Sequence, residues 1–278
     1  MALEARKIEQ TLPGRETQDG AGVRLTRIIG QPLQHRLDPF LMLDYFRSDD
    51  PNDYIRGFPE HPHRGFETLT ILLQGRMRHR DNRGHEGIIE AGGAQWMLAG
   101  RGIIHSEMPE QEQGQLEGFQ LWINLPARDK MTEPQYQDLG ASDIPELRIG
   151  TSRIRVIMGK CKETKGPIQR LQTEPMVLDI AMNQGERLSL PIKNRQRVAL
   201  FANQGDLQVG GKPLAHRHLG VLDDQGEIVA IEAMSDCRFL LIAGTPLHEP
   251  IASYGPFVMN SPDEIHVAIS DFQSGKFG

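Results

Sequence analysis

A chain of 278 residues, 38% hydrophobic and 24% charged, has the composition of a folded globular protein with room for one large domain or two ordinary ones. Its formal charge of −6 and lack of a basic stripe argue against direct nucleic-acid binding. No apolar run reaches the ~18 residues a membrane helix needs, so no membrane association is expected.

The N-terminal stretch MALEARKIEQTLPGRE carries acids and has no apolar core, so it does not read as a signal peptide. Two thiols, Cys161 and Cys237, in no metal or redox spacing, suit a reducing compartment. A cytoplasmic monomer is expected.

Along the chain, short apolar runs alternate with turn residues. GVRLTRIIG, ETLTILLQG, MRHRDNRGHEGIIEAGG and EGFQLWINLP read as strands in the first half. RIRVIMG, PMVLDIAM, VALFANQG, LQVGGKPL, EIVAIEA and CRFLLIAG do so in the second. Helical periodicity is weak; residues 128–138 and the tail SPDEIHVAISDFQ are the candidates, the latter with Ser261-Pro262 and acids suited to a helix start. Many short strands at regular spacing predict a sandwich or barrel, all-β with a few short helices.

Two segments hint at a repeat. TILLQGRMRH (70–79) and LFANQGDLQV (200–209) share an apolar run, a Gln-Gly and a polar–apolar alternation. GFQLWINLPARDKMTEP and RFLLIAGTPLHEPIAS share a strand, a Pro and an acid-Pro pair in the same order. The expected organisation is therefore two tandem β units, residues 1–134 and 147–278, divided near the polar stretch QYQDLGASDIPE.

The chemistry concentrates in HPHRGFETLT. Side chains alternate along a strand, so His61 and His63 face one way. AGRGIIHSEMP supplies a second alternating pair, His105 and Glu107, in Gly-rich β sequence that permits close backbone approach. Three imidazoles and a carboxylate suit a divalent transition metal such as Fe(II), Ni, Mn, Cu or Zn. Glu67 lies four residues beyond His63, on the same face of a regular strand, and spacing alone does not choose between it and Glu107 as the carboxylate. The other histidines are weaker candidates. His216 and His218 sit in a turn-rich segment, and His248-Glu249 are adjacent rather than alternating. His35, His79, His85 and His266 read as surface or hydrogen-bonding residues. The Gln-Gly repeat puts Pro191 and Lys193 where His61 and His63 stand, so the second unit lacks the pair.

Taken together, HPHRGFETLT, AGRGIIHSEMP, DPFLMLDYF (38–46) and YGPFVMNSPDEI (254–265) closely resemble the pirin family of bicupins, in order and over most of the chain. That resemblance implies two tandem cupin (jelly-roll) β-barrels with metal only in the N-terminal one. It implies His61, His63, His105 and Glu107 as ligands, Glu67 as a non-ligand neighbour, and iron as the usual metal, Fe(II) above the others. It also implies a quercetin 2,3-dioxygenase type of activity, or regulation through a protein partner without catalysis. On the dioxygenase reading, the partners are a small aromatic substrate and O2, and Glu107 also serves as the base for the substrate hydroxyl. Phe40, Phe58, Phe66, Trp96 and Met108, with Glu67, lie in or beside the motif segments and are candidates for the pocket wall; for most of them barrel core is the commoner role.

Overall fold

The computed structural model describes residues 4–277. Among them one α-helix accompanies a set of short strands. The first half contributes β1 (Ile8–Pro13), β2 (Arg15–Asp19), β3 (Val23–Ile29), β4 (Phe40–Ser48), β5 (Phe58–His63) and β6 (Phe66–Gln74). It continues with β7 (Arg76–Asp81), β8 (Glu86–Glu90), β9 (Ala94–Leu98), β10 (Ile103–Pro109), β11 (Leu116–Asn124) and β12 (Gln135–Leu139).

These strands form a seven-stranded sheet, β12-β9-β6-β11-β4-β3-β2, and a four-stranded sheet, β5-β10-β7-β8. The second half repeats the plan. Its large sheet runs β1, His218–Leu222, Arg197–Gln204, Cys237–Gly244, Met176–Met182, Ser152–Met158, Glu146–Ile149. Its small sheet runs Arg187–Pro191, Ile228–Ala233, Leu207–Val209, Lys212–Leu214. The strands on either side of the shared Gln-Gly, β6-β7 and their second-half equivalents, hold the same sheet positions, as the repeat predicts. Each half is a jelly-roll barrel.

The compact units are not two uninterrupted stretches. One comprises residues 16–35, 39–142 and 247 onward; the other comprises residues up to 15, 36–38 and 143–246. β1 takes, in the second barrel, the edge place that β12 takes in the first, pairing Thr11 with Gly220 and Leu12 with Leu219. Arg6, fully buried, ties this arm down by donating to the carbonyls of Gly226, Gln196, Asp223, Lys193 and Asn194.

The two interiors differ. Leu188, Leu190 and Ile192 join Val229, Ile231, Leu207 and Val209 in a continuous apolar core in the second barrel. Pro191 and Lys193, at the positions of the histidine pair, are exposed. In the first barrel an apolar plug of Val23, Leu25, Phe46, Leu72, Met77 and Ile89 fills only part of the interior; the rest mixes polar side chains such as His63, Thr70, His79, His105 and Glu107 with Phe66, Met97 and Trp122.

The tail forms α1 (Pro262–Gln273), capped as the sequence predicts: the Ser261 side chain accepts from the Glu264 amide and the Glu264 carboxylate closes the capping box. The stretch 128–138 is not a helix. A single 3-10 turn at Ala127–Asp129 is followed by β12, because Pro134 interrupts a helix and Tyr136 to Leu139 pair with β9. No helix among the described residues is long and apolar enough to cross a membrane.

Candidate metal centre

His61 and His63 lie on β5, an edge strand, which is where Pro59 and Pro62 cost no ladder hydrogen bond to a further neighbour. β10 pairs with β5 antiparallel, placing His105 opposite His61 and Ile103 opposite His63. Directly opposed residues share a face, so β5 and β10 aim all three imidazoles into the barrel. Gly65 makes the turn out of β5 possible: its φ is +88°, and a Cβ there would meet the Val258 carbonyl oxygen at 2.0 Å.

The three rings converge, with centroids 4.6 Å (His61–His63), 4.4 Å (His61–His105) and 4.9 Å (His63–His105) apart. One ring nitrogen from each lies within 4.8 Å of the others, the only such group of three or more ligating side chains among the described residues. His63 and His105 are buried, and His61 is partly exposed, so the cluster opens on the His61 side. His61 Nδ1 lies 2.8 Å from the Pro59 carbonyl oxygen, which can only accept. In the neutral ring Nδ1 is therefore the nitrogen that carries the hydrogen, and Nε2 is the one with the lone pair.

Burial, reinforced by the neighbouring histidines, holds His63 and His105 well below the ordinary histidine pKa, so both are neutral. Nδ1 of His63 and both ring nitrogens of His105 are buried without a hydrogen-bond partner. Three converging imidazoles, two of them neutral and carrying unpaired buried nitrogens, are what a divalent cation would satisfy, so the residues present fit a metal.

Glu107 is two residues beyond His105 on the same face, and it is buried. The Thr70 hydroxyl donates to its Oε1 and Gln120 Nε2 to its Oε2, each at 2.9 Å. Burial raises its pKa, opposed by His61, Thr70, His79 and Gln120. Its oxygens stand outside the 4.8 Å imidazole group and are held by these two donors.

Phe66 stands beside His63, ring centroids 5.1 Å apart, and Phe58 lies opposite Glu107 while packing on the apolar plug. Met108 alternates away from Glu107 and is half-buried. Glu67, Trp96 and Phe40 are elsewhere. Register places Glu67 beside Ile123, Ile123 beside Phe40, and Trp96 beside Leu69, all on the face of the large sheet opposite Thr70. There Trp96 Nε1 donates to Glu67 Oε2 at 2.9 Å. A count of four from His63 implies a shared face only along one strand; the Arg64-Gly65 turn between β5 and β6 removes that condition.

Several lining residues are not evident from motifs. On the inner face of the large sheet, one row across the strands is Tyr136, Met97, Thr68, Trp122 and the next is Asp138, Gln95, Thr70, Gln120. Trp122 stands 5.2 Å from His63 ring to ring. His79, buried on β7 opposite Glu107, bonds Asp138 at 3.1 Å. The available sequence signal was polar residues spaced by two inside otherwise apolar strands, as in Thr68-x-Thr70 and Gln120-x-Trp122.

Two jelly-roll barrels in one chain, with an imidazole cluster inside the first, define a bicupin. The chain matches the family described as Pirin over residues 22–123 and the Pirin C-terminal cupin domain over residues 177–278; it belongs to the pirin family. A pirin-like protein of Caulobacter vibrioides is 46% identical over 277 residues, covering 99% of this chain and 100% of that one. Pirin of Homo sapiens is 40% identical over 281 residues, covering 99% and 94%. The crystal structure of quercetin 2,3-dioxygenase from Acinetobacter baumannii has a TM-score of 0.93 at 35% identity, covering 99% of each chain.

Proposed function

We propose that this protein is a metal-dependent dioxygenase of the quercetin 2,3-dioxygenase type, opening a flavonol-like ring with O2. His61, His63, His105 and Glu107 form its metal site in the first barrel, and the second barrel is metal-free. The observation that carries the reading is the convergence of three imidazoles inside the first barrel, two of them buried with unpaired ring nitrogens. It is supported by near-complete coverage of a quercetin 2,3-dioxygenase structure. Fe(II) is the ion we assign, with Ni, Mn, Cu and Zn as the alternatives the donor set accepts.

A divalent ion held by these residues supplies Lewis-acid polarisation, lowering the pKa of a coordinated hydroxyl. The protein does the rest. Pro59 fixes the His61 tautomer, leaving Nε2 to bind. Burial of His63 and His105 keeps them neutral and excludes water from their side of the site. Glu107, pushed above the usual carboxylate range by burial, is the better base for it and takes the flavonol 3-hydroxyl proton onto a carboxylate oxygen. Phe66 and Trp122, 4.3 Å apart ring to ring, give an aromatic wall beside His63.

The test is turnover of quercetin in air by protein loaded in turn with iron, nickel, manganese or copper, followed by mass spectrometry. Ring-opened product from at least one form, lost in Glu107→Gln, is expected. No product from any form overturns the dioxygenase assignment.

A further inference from the structure

A guanidinium stays out of water only when it is paired and hydrogen-bonded, so its partners decide where it sits. Arg64 directly follows His63, and its side chain is only 4% exposed. Its Nε donates to the Arg101 carbonyl at 2.6 Å and its Nη1 to Asp271 Oδ2 at 2.9 Å, while the guanidinium lies 4.4 Å from the Phe277 ring centroid. The Arg64 backbone is held as well: its amide donates to the Pro256 carbonyl, and its carbonyl accepts from the Val258 amide.

These bonds fall where the two imidazole-bearing strands meet. Arg101 stands just before β10, which carries His105, and Arg64 just after β5, which carries His61 and His63. The Gly65 amide donates to the Gly100 carbonyl at 2.9 Å. The turn leaving β5 and the turn entering β10 are therefore joined twice, once through backbone and once through the Arg64 side chain. The join lies at the end of the strand pair where His63 is opposite Ile103. Asp271, which supplies the counter-charge, comes from α1, 207 residues further along the chain. Its side chain is 22% exposed, so it stands at the edge of solvent while the group it pairs does not.

We infer that Arg64 is a positioning residue for the imidazole cluster, and that Asp271 on the C-terminal helix holds it in place, so that this ion pair governs how firmly a bound metal is retained. Without the Asp271 charge, the buried guanidinium turns toward water and releases the Arg101 carbonyl. The two strands then loosen at the end that aligns His63 with His105, whose rings stand 4.9 Å apart. A ligand set free to spread gives up its ion faster, as when any outer support of a metal site is removed. The inference rests on the metal assignment and is independent of the dioxygenase chemistry.

The experiment loads wild type, Asp271→Asn, Asp271→Glu and Ser261→Ala with nickel(II) and follows its release into excess chromogenic chelator. Circular dichroism and melting of the metal-free proteins report the fold. Asp271→Asn is isosteric and is expected to release nickel roughly tenfold faster. Asp271→Glu keeps the charge and should release it more slowly than Asp271→Asn. Ser261→Ala weakens the opposite end of α1 and should release nickel at the wild-type rate, which separates the ion pair from a general loss of helix stability. A wild-type rate in Asp271→Asn, equal rates in the Asn and Glu variants, or equal acceleration in Ser261→Ala overturns the assignment and leaves the metal site standing. Wild type that takes up no nickel overturns the metal assignment, and this inference with it.

Discussion

Glu107 owes its orientation to two neutral side chains. Thr70 and Gln120 each spend a donor on it, from the sheet facing β10. Thr70→Val keeps the shape of the side chain and removes one donor from a buried carboxylate. Metal affinity or turnover should fall about 10- to 100-fold with the fold intact, which competition with a chromogenic chelator would measure. The imidazole cluster was legible because imidazoles spaced by two on a strand must share a face. The helpers were not, since a threonine or glutamine in a strand has many uses and only the register makes it a neighbour of Glu107. Glu67 illustrates the converse: its spacing from His63 suggested a shared face, yet it bonds Trp96 on the far side of the sheet. The two cysteines also act at this scale. Both are buried, and burial raises both thiols, Cys237 to about 11. At pH 8 neither should react with an aromatic disulfide reagent in the folded protein, and both should react in denaturant, as release of the coloured thiolate would report.

At the scale of elements, the segment from Pro256 to Phe277 braces the turns that flank the imidazole-bearing strands β5 and β10. Arg64, next to His63, donates to Asp271 of α1 and to the Arg101 carbonyl, and its guanidinium lies 4.4 Å from the Phe277 ring centroid. Buried Lys130 donates to the Gly65 and Val258 carbonyls and to Asn124, joining the turn after β5 to the same segment. Ser261→Ala removes the cap of α1 and should cost about 1 kcal/mol, lowering the melting temperature by a few degrees without changing metal content. The start of α1 was readable from Ser261-Pro262 and Glu264, a local signal. The stretch 128–138 misled because its short-range pattern tolerates a helix, and pairing of Gln135–Leu139 with β9 decides otherwise. Strand pairing is a long-range fact that a single sequence does not display.

For the whole molecule, the repeat around the two Gln-Gly turns anticipated the shared topology of the barrels, and the loss of the histidine pair anticipated the apolar interior of the second. What the repeat hid was the exchange at the ends: β1 completes the second barrel, and the segment from residue 247 belongs with the first. Arg6 anchors the first of these, filling a ring of five backbone carbonyls. Arg6→Ala leaves those acceptors without their donor and should cost roughly 3 kcal/mol or more. Arg6→Lys should recover only part of this, because an ammonium cannot reproduce the planar fork; denaturant midpoints would rank the three proteins.

The metal site remains the central claim, and elemental analysis of protein purified under metal-replete, reducing conditions tests it most directly. Wild type should carry about one divalent transition metal per chain. His61→Ala, His63→Ala and His105→Ala should each lose most of it while keeping the wild-type β-sheet circular dichroism. Wild type without metal, or all three variants retaining a full equivalent, would contradict the account.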